Sequence, residues 1–340
     1  MMRITGIGIR CVLATVLFVA AVVAQAAALE IRGFVMTVSD IDRAVAFYES
    51  ALHFKRIDDR VIGGDRHARL TGVHDARVRR ATLQLGDERI ELEQYLPAGH
   101  EKKPVSARSQ DLSFQHIAIV VADMQRATES LSRHSIRAIS NGPQTLPEWN
   151  KAAAGIKAFK FRDPDGHPLE LLEFPPDKGN PKWREAVGAR LFLGIDHSAI
   201  TVSDTERTSA FYRDVLGMRV AGQSLNSGVT QEQLDDAPGA VVRVTGLRPR
   251  HERGPGLEFL HYLTPSDGRG AVAGVRASDL AYTRVVLEVD NVEALLPRLV
   301  AHRVEIVSEG IVADSPFGPG KALMVRDPDG HAVVLTQRPD

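Results

Sequence analysis

Val38-Ser39-Asp40 is followed by Ala46-Phe47-Tyr48, and Val202-Ser203-Asp204 is followed by Ala210-Phe211-Tyr212. The interval is 164 residues in both cases (204 − 40 and 212 − 48). Phe161-Arg162-Asp163-Pro164-Asp165-Gly166-His167 returns at the same interval as Val325-Arg326-Asp327-Pro328-Asp329-Gly330-His331. One interval shared by such separated motifs means two copies of one domain. Each copy divides again. Phe114-Gln115-His116-Ile117-Ala118-Ile119-Val120-Val121-Ala122-Asp123 echoes Ile195-Asp196-His197-Ser198-Ala199-Ile200-Thr201-Val202-Ser203-Asp204. Four units therefore start near residues 31, 114, 195 and 281, each with an apolar run that ends at an Asp and turns helical.

Each unit reads as strand, helix and three strands. Ser203-x-x-Glu206 has the spacing of a capping box, and Ser39-x-x-Asp42 is a weaker version. Ala44, Phe47, Tyr48, Ala51 and Leu52 fall at helical spacing. Asp165-Gly166 and Asp329-Gly330 lie between apolar runs and suit tight hairpin turns. The expected fold class is α+β, with four βαβββ modules. Modules 30–97 and 113–175 make a first domain, 30–175; a Pro-rich linker covers 176–192; modules 193–265 and 280–338 make a second domain, 193–338. Asn141 to Gly155 forms a long loop, read as a lid or as a surface connection with Trp149 packed on the body; Trp183 is expected to pack between the copies.

The first 28 residues stand apart. Arg3 and Arg10 precede an unbroken apolar run from Cys11 to Ala24, and Ala24-Gln25-Ala26 suits a signal peptidase. The segment reads as a secretory signal, which implies a secreted or periplasmic protein. The competing reading is an N-terminal membrane anchor, since Cys11 to Leu29 is nearly long enough to span a bilayer. Cys11 is the one cysteine, so cleavage leaves a chain with no thiolate ligand, thiol nucleophile or disulfide. With 42 Lys+Arg against 43 Asp+Glu, the chain lacks the basic surface that nucleic-acid binding requires. Arg77, Arg79 and Arg80 are read as a solvated strand face.

Four βαβββ units, the V-S-D…A-F-Y opening and the D-P-D-G hairpin resemble the vicinal oxygen chelate superfamily. That superfamily includes glyoxalase I, extradiol dioxygenases, methylmalonyl-CoA epimerase and bleomycin- or fosfomycin-resistance proteins. The resemblance covers about residues 31 to 338. It implies two tandem glyoxalase-like domains whose mixed sheets curl into cups. It also implies a divalent metal held by the first and last strands of each unit.

Carried over position by position, the resemblance puts His116 and His197 on first strands, with Gly33 and Thr283 at the matching places in units one and four. On last strands it puts Glu91, Glu170 and Glu258, with Val334 at the fourth place. The implied metal ligands are thus Glu91, His116, Glu170, His197 and Glu258. Glu93 and His261 are read as solvated or supporting neighbours. A His or Glu on an apolar strand face must be paired, neutralised or bound to metal. Sequential pairing of units would split the two histidines between cups. Crossed pairing of units two and three, within the chain or across a homodimer, would join His116, Glu170, His197 and Glu258. The sequence leaves both open.

Imidazole and carboxylate donors without thiolate suit Mn, Fe, Ni or Zn. The resemblance implies a small-molecule substrate with adjacent oxygens and a lyase or isomerase acting through an enediolate, with Glu170 or Glu258 moving the proton. Two alternatives stand beside it: an extradiol-type dioxygenase acting on a catechol, and a non-catalytic binding or resistance protein.

Overall fold

An acidic or amide side chain starts the first helix of every unit. Asp40, Asp123, Asp204 and Asn291 are the N-caps, each accepting a hydrogen bond from a backbone N–H in the first turn. Ser39 and Ser203 are therefore not caps, contrary to the capping-box reading. The computed structural model describes residues 27–96 and 107–339, apart from 135, 187, 189, 252, 253, 272 and 273. The signal segment with Cys11 lies outside the described residues.

Unit one runs β1 (Ala28–Thr37), α1 (Ile41–Leu52), β2 (Lys55–Gly63), α2 (Asp65–Thr71), β3 (Arg77–Leu85) and β4 (Glu88–Leu96). Unit two comprises β5 (Gln115–Val121), α3 (Met124–Leu131), the short β6 (Arg137–Ala138) and β7 (Gln144–Thr145), β8 (Lys157–Arg162) and β9 (Pro168–Glu173). After α4 (Pro181–Ala186), unit three repeats unit one as β10 (Phe192–Thr201), α5 (Thr205–Ala210), β11 (Arg219–Ser227), α6 (Val229–Asp235), β12 (Val241–Arg248) and β13 (Gly256–Thr264). Unit four repeats unit two as β14 (Thr283–Val289), α7 (Val292–Ala301), β15 (Glu305–Ile306), β16 (Val312–Ala313), β17 (Lys321–Arg326) and β18 (Ala332–Gln337).

The strands form two mixed sheets, ordered β15-β17-β18-β14-β1-β4-β3-β2 and β11-β12-β13-β10-β5-β9-β8-β6, with β16 on β17 and β7 on β8. Unit one thus shares a sheet with unit four, and unit two with unit three: the pairing is crossed. The joints are antiparallel first strands, β1 on β14 and β10 on β5.

Units adjacent in sequence are joined differently. Tyr48 donates to Asp163 (3.0 Å) and Ser39 to Asp165 (2.6 Å). In the second copy Tyr212 donates to Asp327 (3.2 Å), and Ser203 and Thr208 donate to Asp329 (2.6 and 2.8 Å). The two repeated motifs are the two sides of one clasp. Hydrogen bonds to a carboxylate contribute about 1.5–3 kcal/mol each when buried. The main apolar cluster draws on both sheets and on residues of α1, α3 and α7, with Phe34, Ile41, Phe161, Phe192 and Phe259 fully buried. Fully burying side chains of this size stabilises by about 1.5–3 kcal/mol apiece. Among the described residues no helix is long and apolar enough to cross a membrane.

Candidate metal centre

The crossed sheet places β13, β10, β5 and β9 side by side, and each contributes one donor. Register sets two adjacent rows. Glu258, Ala199 and His116 stand opposite one another in the first; His197, Ala118 and Glu170 do so in the second. The alanines in the middle of each row leave space where larger side chains would fill the cup. His116 Nε2 lies 3.0 Å from Glu170 Oε2, which lies 3.9 Å from His197 Nε2. Glu258 Oε2 is 3.4 Å from His197 Nε2. Ligand atoms of His116, Glu170 and His197 all fall within 4.8 Å of one another, so these three can hold a metal ion. Four of the five ligand residues expected from the sequence are therefore brought together.

The surroundings suit a cation. Neither ring nitrogen of the buried His116 makes an aligned hydrogen bond, and burial lowers its pKa, with the nearby Glu170 acting against it. Burial also disfavours a charged His197, but the Glu258 and Asp196 carboxylates outweigh it and raise its pKa to about 9. Without an ion, a proton on His197 supplies the positive charge the pocket attracts. His197 Nδ1 is 3.0 Å from Asp196 Oδ2, which aims Nε2 at the centre. A register irregularity between Ile195 and His197 brings Asp196 beside its neighbour. Glu170 resists the raising effect of burial because His116 and Lys160 hold its pKa down at about 2. Burial raises the pKa of Glu258, with His197 acting against it.

Sequence reasoning missed two supporting residues, Lys160 and Asp196, and the polar contact of a third, Trp183, which packs between the copies against Val120 and Leu193 as expected. Lys160, 2.6 Å from Asp235 and 3.9 Å from Glu170, is a buried cation behind the carboxylate. Asp196 gave no motif signal beyond adjoining His197. Trp183 is buried, and its Nε1 donates to Asp196 Oδ1 (3.2 Å), so it steadies the support of His197. A cavity of about 310 Å³ opens onto the centre. Leu146, Ala152 and Ala153 from the 141–155 loop line it, while Trp149 is 57% exposed rather than packed on the body. His261 lies 3.1 Å from Thr205 Oγ1 at the start of α5, outside the donor cluster.

Among the described residues the sheet of units one and four holds no such cluster, and its rows show why. Its equivalent rows are Glu91, Val35, Arg284 and Gly33, Val286, Val334. The residue opposite Val35 is Arg284, not Thr283. The count from the helix start slipped because Asn291, one residue beyond Asp290, is the cap. At Gly33, with φ +155°, a Cβ would come within 2.6 Å of the Arg89 carbonyl oxygen, so no histidine fits. Val35, Val286 and Val334 belong to an apolar cluster at these rows, and the cavity of about 490 Å³ above them is lined by Val35, Val286 and Glu91. Glu91 is not joined to the other four donors; its Oε2 is 3.2 Å from Arg80 Nη1. Glu93 is fully buried rather than solvated and pairs with Arg80 and Arg284. Arg80 is likewise buried, not part of a solvated face.

Two mixed sheets, one carrying on adjacent strands a His/Glu cluster that could hold a metal ion, define the architecture. The chain belongs to the Glyoxalase/Bleomycin resistance protein/Dioxygenase superfamily, which matches residues 30–171 and 194–335. Among solved structures it is similar to glyoxalase I from Zea mays, at 18% identity and a TM-score of 0.59, over 91% of this chain and 92% of that one. A putative dioxygenase from Bacillus subtilis subsp. subtilis str. 168 is similar at 13% identity and a TM-score of 0.57, over 92% and 86%. At these identities the likeness shows the fold alone. No curated protein matches.

Proposed function

We propose that the chain is a divalent-metal-dependent lyase or isomerase acting on a small substrate with two adjacent oxygens. The observation that carries this reading is the convergence of His116, Glu170, His197 and Glu258 at one end of a cavity. Bound there, a divalent cation supplies Lewis acidity to adjacent substrate oxygens and stabilises enediolate-like charge.

The chain's own residues divide the remaining work. Lys160 and His116 hold Glu170 ionised and in place, and its side chain is only 7% exposed. Glu258 is 31% exposed to the cavity, with burial raising its pKa, so it is the carboxylate free to take a proton from carbon and return it. Asp196 keeps His197 aimed inward. Crossed pairing within one chain supplies all four donors without a second copy. The N-terminal segment supports export, which argues against a cytosolic thiol adduct as substrate.

A second reading, an extradiol-type dioxygenase, is favoured by one observation: His116, Glu170 and His197 make a two-His, one-carboxylate set. Loading the mature chain separately with Mn²⁺, Fe²⁺, Ni²⁺ and Zn²⁺ tests both. Metal-dependent exchange of solvent deuterium into a hydroxyketone, lost in Glu258→Gln, is the expected result. Oxygen uptake with catechols after anaerobic Fe²⁺ loading would replace it with the dioxygenase. Tight ligand binding with neither reaction would leave a binding protein.

A further inference from the structure

Gly222 on β11, Gly246 on β12 and Glu258 on β13 stand directly opposite one another across three strands. All three line the cavity of the metal centre. In the other sheet the same row is Asp58, Thr82 and Glu91. Glycine inside a strand weakens it and marks a bulge, a bend or a close approach by something else.

Neither glycine is among the residues of positive φ; the register irregularity between Val220 and Gly222 bears on the backbone at 222 but not at 246. Packing does not require them either. A Cβ at Gly222 would meet nothing within 4 Å, and one at Gly246 would meet Glu258 Oε1 at 3.8 Å and the Gly222 carbonyl oxygen at 3.9 Å. Gly256 differs, because a Cβ there would approach the Arg248 guanidinium carbon to 3.0 Å. What remains at 222 and 246 is the space above the strands. Two facing glycines present bare peptide planes beside Glu258. The unit-two part of the same cavity is aliphatic, with Leu146, Ile156, Ala158 and Leu172.

We propose that Gly222 and Gly246 are specificity-determining residues: they form the floor of a subsite for a flat, unsaturated or aromatic group attached to the two oxygens held at the metal centre. The inference rests on the metal-dependent reading above and adds the shape of the substrate. A side chain at Gly222 enters open space, with nothing within 4 Å of its Cβ, whereas one at Gly246 also meets Glu258 Oε1 at 3.8 Å, so only a small residue there leaves that carboxylate in place.

The test uses the Co²⁺-loaded chain and two bidentate oxygen ligands, acetohydroxamate and benzohydroxamate, titrated by the visible cobalt spectrum. They share the chelating oxygens and differ in a methyl against a phenyl group. In Gly222→Val the benzohydroxamate Kd is expected to rise about tenfold or more, the scale of forcing overlap in a packed cavity, and in Gly246→Ala by a smaller factor in the same direction. Acetohydroxamate affinity and cobalt content should stay within about twofold, well under the 1.4 kcal/mol of a tenfold change; both also report that the variants fold. Equal weakening of both ligands, or of neither, overturns the floor while leaving the metal centre standing. A wild-type chain that takes up no cobalt overturns the metal reading and the floor with it.

Discussion

His167 sits between two acceptors. Its Nδ1 is 2.9 Å from Asp163 Oδ2 and its Nε2 is 2.9 Å from the Leu280 carbonyl oxygen. Both ring nitrogens must carry hydrogen to satisfy both partners, so the buried ring is a cation. Burial disfavours that charge, but the Asp163 carboxylate outweighs it and raises the pKa to about 9. An unfolded histidine titrates near about 6.5. Because the folded value is the higher, the stabilisation is fully present below about pH 6.5 and is lost as pH rises through about 9. The gap of about 2.5 units, at about 1.36 kcal/mol each, amounts to about 3 kcal/mol. Urea unfolding of wild type and His167→Gln at about pH 6 and about pH 10 isolates this group from the other titrations. The stability gap between the two proteins should be about 3 kcal/mol wider at the lower pH. A gap that does not change with pH would refute the cationic ring, and with it the charged form of the clasp.

Three further outcomes follow from the sites. His116→Ala and His197→Ala should each empty the same centre, since losing one of four donors weakens binding by about 3 kcal/mol, roughly a hundredfold; elemental analysis after gel filtration reads this, and Glu91→Ala should leave metal content unchanged. Asp196→Asn should weaken metal affinity by about 10–100-fold in a competition titration with a chromophoric chelator, because His197 loses its orienting carboxylate. Glu93→Gln strands two buried guanidinium groups and should destabilise the fold by about 3–5 kcal/mol. A chemical melt measures that loss, and metal content at the other sheet should be unaffected.

The four units and the first helix of each were legible in the residues themselves, whereas α2 and α6, which interrupt the expected run of three strands, were not. The legible signals are local: a period of two along a strand, an Asp at its end, a hairpin Asp-Gly. The donor positions His116, Glu170, His197 and Glu258 came from the family resemblance, carried over by counting from such marks. The count failed where the mark moved by one residue, giving Thr283 in place of Arg284. Ser39 and Ser203 were misread because a hydroxyl three residues before an acid looks like a cap, whatever lies across the gap. The carboxylates they reach, Asp165 and Asp329, are 126 residues away.

Sequence alone determined that four similar units exist, and the resemblance it carries implied which positions could be donors. Tertiary structure decided which units share a sheet. Alternation along a strand states which side chains share a face, but its unpaired N–H and C=O groups accept any partner of suitable length. Only the joining of β5 to β10, together with the clasps that hold each sequence half, gathered two histidines and two glutamates into one cup and left valines in the matching rows of the other.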